Sequence, residues 1–84
     1  MEHRIRLYTR EGCHLCQEAE GILEKLKDEF KLAIELVDID RDDGLLARYG
    51  NVIPVIAIDD RISLSAPLDE PRLRQALENP EDYY

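Results

Sequence analysis

The first half of the chain switches between the hydrophobic periodicities of strands and helices. Residues 3–9 alternate polar and apolar side chains, which predicts a strand with one face on a core. From Leu15 to Phe30 the apolar residues recur every three or four positions, which is typical of an amphipathic helix, here beginning near Cys13. Residues 32–39, rich in Ile, Val and Leu, predict a second strand. A crossover that contains a helix makes these two strands parallel, with a right-handed connection.

The second half of the chain predicts a short helix, a hairpin and a final helix. Aspartates stand where the helices would start, and a glycine or an Asn-Pro pair stands where they would end. The elements are a short helix from Asp42 or Asp43 to Gly50, strands 55–58 and 61–64 around a two-residue turn at Asp59 and Asp60, and a helix from Asp69 to Asn79. A chain of 84 residues is long enough for one core, so we expect a single α/β domain over residues 1–84.

Charge and hydropathy exclude two classes of partner. The formal net charge is -8 at pH 7, whereas binding to nucleic acid or to anionic lipid needs a basic surface. The longest largely apolar run, residues 52–58, contains Pro54 and is too short for a signal-peptide core or a membrane span. We therefore expect a cytoplasmic protein that binds neither nucleic acid nor membrane.

Cys13 and Cys16 are the only cysteines, and their spacing leaves several interpretations open. The pair can be a redox couple, half of a metal site, a disulfide staple or two small buried hydrophobic residues. A staple closing so short a loop would stabilise the fold by only about 2 kcal/mol. A closed zinc site needs four ligands, and the chain adds only His3, on the far side of the first strand, and His14, between the cysteines. We therefore expect no metal site and favour the redox couple.

The position of Cys13 at the predicted start of a helix favours redox chemistry. Side chains at a helix start after a glycine are usually reachable, and the unpaired N–H groups and the dipole there favour an anion. Cys13 should therefore ionise more easily than a free thiol, and a thiolate both attacks disulfides and leaves readily from them. Cys16 lies about one turn further into the helix. We expect Cys13 to be the nucleophile and Cys16 the resolving thiol.

Two segments resemble the glutaredoxins of the thioredoxin superfamily. Residues 8–16, Tyr-Thr-Arg-Glu-Gly-Cys-His-Leu-Cys, resemble the strand end and C-x-x-C helix start of that family. Residues 51–59, Asn-Val-Ile-Pro-Val-Ile-Ala-Ile-Asp, resemble its segment in which a cis-proline precedes the third strand and faces the cysteines. The resemblance implies a thioredoxin-like fold, with a four-stranded mixed sheet flanked by three helices. A trans bond, the ordinary state of an X-Pro peptide, remains the alternative at Pro54.

The region around the cysteines offers four candidate substrate-binding residues. By resemblance, Ile53 would present its backbone N–H and C=O to an extended thiol substrate beside Pro54. Arg10 stands where glutaredoxins usually carry a lysine that helps hold the thiolate and a glutathione carboxylate; the alternative is a solvated loop arginine. His14 stands where the family usually has proline, and in its protonated form it would stabilise the Cys13 thiolate and make the disulfide more oxidising.

One region departs from the glutaredoxins. Residues 64–69, Leu-Ser-Ala-Pro-Leu-Asp, replace the Gly-Gly and polar helix start with which that family holds the glutathione carboxylate. Asp69 and Glu70 would repel a carboxylate unless their charges point away, although free N–H groups at a helix start attract one. We expect no tightly bound cofactor, and glutathione and a reductase stay open as alternative reductants.

The sequence therefore predicts an enzyme, a monomeric thiol-disulfide oxidoreductase of electron transport and cell redox homeostasis. Its expected substrates are protein disulfides or glutathione mixed disulfides. Two other classes stay open: a module that holds an iron-sulfur cluster between two subunits with glutathione, as some glutaredoxins do, and a partner-binding domain without turnover. The presence of both cysteines together with the Ile-Pro element favours the enzyme.

Overall fold

A computed structural model describes residues 2–65 and 68–79 of the chain. Over these two ranges the chain forms four strands, three α-helices and one 3-10 turn. None of the helices there is long and apolar enough to cross a membrane. In chain order the elements are β1 (His3–Thr9), α1 (His14–Phe30), β2 (Leu32–Asp38), the 3-10 turn (Ile39–Arg41), α2 (Asp43–Tyr49), β3 (Val55–Ile58), β4 (Ile62–Ser65) and α3 (Glu70–Glu78).

The strands within the described ranges form one mixed sheet in the order β2-β1-β3-β4. β1 lies parallel to β2, with Ile5 opposite Ile34, because the crossover through α1 returns the chain in the same direction. β3 is antiparallel to β1, and β4 is antiparallel to β3. The predicted mixed sheet, built from a strand-helix-strand unit and an added hairpin, is confirmed.

Helices cover both faces of the sheet. Because successive side chains of a strand point to opposite faces, β1 sends Leu7 into the main core and Tyr8 to the other side. There the Tyr8 ring stacks on Tyr49 of α2, with the ring centroids 4.5 Å apart. The main core between the sheet, α1 and α3 consists of Ile5, Leu7, Leu32, Ile56, Ile58, Ile62, Leu64, Ala19, Leu23, Leu26, Leu73, Ala76 and Leu77.

Three connecting segments meet at the carboxyl end of β1. Thr9 pairs with Asp38 at the end of β2, and Tyr8 pairs with Val55 at the start of β3. The loop that carries Cys13, the turn after β2 and the segment before β3 therefore open at the same edge of the sheet. Such an edge, at the carboxyl ends of parallel strands, is a common place for binding sites in α/β folds.

The hairpin between β3 and β4 has the predicted turn with a shifted strand start. Asp59 and Asp60 have φ values of 54° and 60°, the backbone of a two-residue turn whose twist matches the strands it joins. The Arg61 N–H closes this turn by donating to the Ile58 carbonyl oxygen at 3.0 Å. β4 begins at Ile62 and not at Arg61, because Ile62 is the residue that pairs with Ile58.

The end of β2 is one residue earlier than predicted. Ile39 belongs to the 3-10 turn, where its side chain is fully buried, and Asp38 caps that turn. Asp42 then caps α2 by accepting hydrogen bonds from two backbone N–H groups at 2.8 and 3.1 Å. An N-cap carboxylate satisfies donors that have no partner within the helix, which decides the start of α2 in favour of Asp42 over Asp43.

Candidate active site

A tight turn carries the chain from β1 into α1. The Cys13 N–H donates to the Arg10 carbonyl oxygen at 3.3 Å, and Gly12 has a φ of 83°, which glycine adopts without steric cost. Cys13 itself keeps an extended backbone and is the N-cap of α1. The predicted helix start near Cys13 is confirmed.

The Cys13 sulfur occupies the capping position that a side-chain oxygen usually takes. Its Sγ accepts a hydrogen bond from the Cys16 N–H at 3.1 Å, and the Gln17 N–H donates to the Cys13 carbonyl oxygen at 3.1 Å. The free N–H groups of the first turn and the helix dipole stabilise negative charge. The start of α1 is therefore arranged to stabilise a thiolate at Cys13.

The two cysteines form a disulfide but differ in exposure. Their Cα atoms lie 5.2 Å apart, within the range that a disulfide spans, and a spacing of three places both on one side of α1. Cys13 is half-buried, whereas Cys16 is 1% exposed. The cysteine at the helix start is therefore partly open to solvent, while the second cysteine is shielded.

The proline segment reaches the same edge of the sheet through a cis peptide bond between Ile53 and Pro54. Pro54 is buried and Ile53 is half-buried. The Ile53 N–H donates to the Tyr49 carbonyl oxygen at 3.2 Å, because residues 50–53 fold back onto the end of α2. The Ile53 N–H is therefore engaged within the chain in this structure, and the expected roles of Ile53 and Pro54 toward a substrate stay predictions.

Arg10 forms an ion pair with Asp40, a residue that the sequence did not single out as part of the site. A guanidinium nitrogen of Arg10 lies 3.1 Å from a carboxylate oxygen of Asp40 in the 3-10 turn. The side chain is therefore an ion-paired one, which differs from a freely solvated loop arginine. The run Asp-Ile-Asp-Arg-Asp-Asp at residues 38–43, directly after a strand parallel to β1, is the sequence signal that could have indicated a carboxylate here.

His14 lies on the outside of the first helical turn. Its side chain is 83% exposed, and its Nε2 atom lies 3.6 Å from a carboxylate oxygen of Glu18, one turn further along α1. This i,i+4 contact directs the ring along the helix surface. The influence of His14 on the Cys13 thiolate remains a prediction.

The acidic start of α3 is locally compensated. Asp69 caps the helix by accepting a hydrogen bond from the Arg72 N–H at 2.9 Å, and a Glu70 carboxylate oxygen lies 3.5 Å from the ammonium nitrogen of Lys25 in α1. Residues 66 and 67 of the segment that replaces the glutathione-binding glycines lie outside the described residues. The expected repulsion of a glutathione carboxylate by Asp69 and Glu70 therefore stays a prediction.

His3 lies at the opposite end of β1 from the cysteines. It is 4% exposed, and its ring nitrogen Nδ1 lies 2.7 Å from a carboxylate oxygen of Asp59 in the hairpin turn. Among residues 2–65 and 68–79, no group of three or more His, Cys, Asp or Glu side chains is arranged to hold a metal ion. The two histidines thus lie in different parts of the molecule: His3 contacts the turn between β3 and β4, and His14 lies beside the cysteine pair.

The fold and the cysteine pair define a protein of the thioredoxin superfamily. A thioredoxin from Halobacterium salinarum matches the fold with a TM-score of 0.72 at 22% identity, covering 96% of this chain and 74% of that chain. A structural genomics target protein from X. campestris, XcR50, matches with a TM-score of 0.77 at 36% identity, covering 88% of this chain and 95% of the other.

The sequence comparisons narrow this class to one family. The Glutaredoxin-like domain (DUF836) matches residues 4–78, and the chain belongs to that glutaredoxin-like family. A glutaredoxin-like protein of Dictyostelium discoideum, a YDR286C homolog, is 35% identical over 80 residues, which cover 88% of this chain and 74% of the relative. An uncharacterized Mycobacterium tuberculosis protein is 32% identical over 76 residues, which cover 84% of this chain and 78% of that protein. The predicted membership in a glutaredoxin-like family of the thioredoxin superfamily is confirmed.

Proposed function

We propose that the protein is a thiol-disulfide oxidoreductase that acts on protein disulfides or glutathione mixed disulfides. The observation that carries the proposal is the Cys13 sulfur at the N-cap of α1, where the Cys16 N–H donates to it at 3.1 Å. In the reduced protein the same N–H would stabilise a thiolate at Cys13. A disulfide-forming pair at the start of a helix is consistent with redox chemistry.

The reduced pair would transfer one electron pair to the substrate in two steps. The Cys13 thiolate attacks one substrate sulfur, which forms a mixed disulfide and releases the other substrate sulfur as a thiolate. Cys16 then loses its proton to solvent and attacks the Cys13 sulfur, which expels the second substrate thiolate and forms the Cys13/Cys16 disulfide. The cysteine pair is oxidised, the substrate is reduced, and a thiol or dithiol reductant must restore the pair.

The difference in exposure supports this division of roles. Cys16 is 1% exposed, so a bulky disulfide cannot approach it directly. Once Cys13 carries the substrate, Cys16 is already positioned beside it, and an intramolecular attack proceeds at a high effective concentration. The burial of Cys16 therefore favours it as the resolving thiol.

Exposed apolar side chains, one between the cysteines and one in the proline segment, favour a protein as substrate. Leu15, between the two cysteines, is 54% exposed, and Val52, two residues before Pro54, is 45% exposed. Exposed apolar residues beside a reactive group are typical of surfaces that contact other proteins. We propose that a substrate strand also contacts the Ile53 carbonyl and Pro54. The side chains of Arg10 and His14 would influence the binding of charged groups on that substrate.

The proposal is tested by the redox equilibrium of the cysteine pair in defined glutathione buffers. Free thiols are alkylated and the products are weighed, with glutathione adducts counted separately. We expect a reversible Cys13/Cys16 disulfide, and we expect Cys16→Ser to accumulate a mixed disulfide on Cys13 because the resolving thiol is absent. Cysteines that dithiothreitol reduces but that never exchange with any disulfide would contradict the proposal.

We also propose that the chain acts as a cytoplasmic monomer and a single domain over residues 1–84, with no tightly bound cofactor. Light scattering of the reduced protein, purified without oxygen, tests the oligomeric state. A colourless monomer is expected. A coloured dimer that contains iron and glutathione would favour an iron-sulfur module in place of the oxidoreductase.

A further inference from the structure

We propose that Asp40 is a specificity-determining residue of the cysteine site. By pairing with Arg10 it makes neutral and cationic disulfides, and not anionic ones, the preferred substrates of Cys13. This specificity rests on the proposed function and gives the chemical class of the substrate: a disulfide flanked by basic side chains.

The first step is the position of Arg10 next to the nucleophile. The hydrogen bond from the Cys13 N–H to the Arg10 carbonyl oxygen, at 3.3 Å, holds the two backbones together in one turn. A free arginine at this position would attract a negatively charged disulfide towards Cys13. The guanidinium instead lies 3.1 Å from the Asp40 carboxylate, with side-chain exposures of 43% and 38%. The cation is therefore largely compensated before a substrate arrives.

The second step is that the fold itself places Asp40 there. β1 and β2 are parallel, and Thr9 pairs with Asp38, so the residues that follow the two strands emerge side by side. The Asp40 N–H donates to an Asp38 carboxylate oxygen at 3.0 Å, which holds the 3-10 turn in place. Strand register and this turn therefore place the backbones of Arg10 and Asp40 where their side chains can pair.

The third step is the sign of the charge that remains. Residues 38–43 contain four aspartates and a single arginine. That arginine, Arg41, lies 3.7 Å from the Asp38 carboxylate. With Arg10 compensated, the net charge of this turn is negative, and negative charge near the cysteine loop raises the encounter rate of cations and lowers that of anions.

The size of the effect follows from the exposure of the pair. Ion pairs between exposed side chains interact weakly in water, so removal of the Asp40 charge should change rates by about two- to fivefold at low ionic strength. The direction must depend on the charge of the disulfide. The rate should rise for an anionic disulfide, fall for a cationic one and stay constant for a neutral one.

The experiment compares the reduced wild-type protein with Asp40→Asn in single-turnover reactions with three small disulfides. These are dithiodipropionate (anionic), bis(hydroxyethyl) disulfide (neutral) and cystamine (cationic), and alkylation followed by mass spectrometry measures the loss of thiols. We expect the variant to react about two- to fivefold faster with dithiodipropionate, about two- to fivefold slower with cystamine and equally fast with the neutral disulfide. Both changes should disappear near 1 M salt, where the Debye length is about 3 Å.

Two further variants make the result specific. Asp40→Asn combined with Arg10→Gln restores the net charge of the pair, so the ratio of its cystamine rate to its dithiodipropionate rate should return to the wild-type value. Asp28→Asn removes an exposed carboxylate from the other end of α1 and should leave all three rates unchanged.

Two outcomes would overturn the assignment of Asp40. Asp40→Asn could leave all three rates unchanged, or it could shift all three by the same factor, which would mean that Asp40 acts on the reactivity of Cys13 and not on the charge of the substrate. If the wild-type protein fails to reduce even the neutral disulfide, the proposed function itself is wrong, and the specificity falls with it.

Discussion

The two ends of β1 show two different uses of polar side chains. At the amino end, His3 is 4% exposed, and its ring contacts Asp59 at 2.7 Å, which ties the hairpin turn to the strand. At the carboxyl end, Cys13 is half-buried, and the neighbouring contact between Arg10 and Asp40 joins side chains that are about 40% exposed. The amino end is a packed contact, which we call the His3–Asp59 clamp. The carboxyl end leaves Cys13 and the charged side chains of Arg10 and Asp40 partly exposed to solvent. The buried polar contact of His3 with Asp59 is therefore at the opposite end of β1 from Cys13.

The contacts of Asp59 explain why the amino end is a clamp. Burial by itself raises the pKa of this carboxyl group, but hydrogen bonds from the Arg4 N–H and from the His3 ring outweigh that effect and lower the pKa. The Arg4 N–H donates to one carboxylate oxygen at 2.7 Å, and the His3 ring contacts the other. Both oxygens are thus used within the fold.

The largest expected effect is at the reactive end. Cys13→Ser should abolish disulfide reduction, because a serine hydroxyl is not ionised at neutral pH and is a much weaker nucleophile than a thiolate. Serine is a good N-cap residue, so α1 should persist and the free energy of unfolding of the reduced protein should change by less than about 1 kcal/mol. Single-turnover kinetics and urea unfolding measure the two quantities. Reduction by Cys13→Ser at the wild-type rate would show that Cys16 attacks alone.

The next effect is at the packed end. Asp59→Ala should lower the free energy of unfolding by about 2–3 kcal/mol, because it leaves the buried His3 ring and the Arg4 N–H without their acceptor. Urea unfolding measures the loss, and the alkylation rate of Cys13 should not change. Asp59→Asn is the matched control, because asparagine tolerates the φ of 54° at this turn and keeps one oxygen acceptor, so its loss should be smaller. Equal losses in both variants would show that the carboxylate contacts are not the cause.

The lowered pKa of Asp59 makes the clamp sensitive to acid. A carboxyl group whose pKa in the folded state lies below its ordinary value of 3.8 stabilises the fold above that pH, and the stabilisation is lost as the pH falls through the lower value. Urea unfolding between about pH 6 and pH 2 should therefore show a decline in stability below about pH 4. This decline should be shallower in Asp59→Asn, which has no proton to bind. Profiles of the same steepness would contradict the role of Asp59.

The smallest expected effect returns to the reactive end. His14→Ala should move ionisation of the Cys13 thiol to a slightly higher pH, because it removes a group that is positively charged when protonated, although at 83% exposure water weakens its influence. Glu18→Gln, which removes the carboxylate beside His14, should move ionisation in the opposite direction. The pH dependence of alkylation by iodoacetamide measures both. An unchanged ionisation of Cys13 in His14→Ala would disprove the proposed influence.

Much of the fold could be predicted because it depends on local patterns. The alternation in residues 3–9 and the helical period after Cys13 encode which face of each element is buried, and burial of those faces drives folding. The placement of Cys13 at a helix start follows from the same two patterns, because the strand alternation ends before Cys13 and the helical period begins just after it. The cis bond before Pro54 came from the resemblance to a family, since most X-Pro bonds are trans.

The contacts between distant residues could not be predicted in this way. His3 and Asp59 are 56 positions apart, and they meet only because β3 returns antiparallel beside β1. The engagement of the Ile53 N–H by the Tyr49 carbonyl likewise depends on how residues 50–53 fold back onto α2.

The amino-acid sequence alone determines the secondary-structure elements, their buried faces and the position of the cysteine pair at a helix start. Each of these depends on neighbours within a few positions. The partner of Arg10 and the difference in exposure between Cys13 and Cys16 were decided by strand register and packing. Both depend on distances between elements that lie far apart in the chain, and such distances exist only once the sheet has formed.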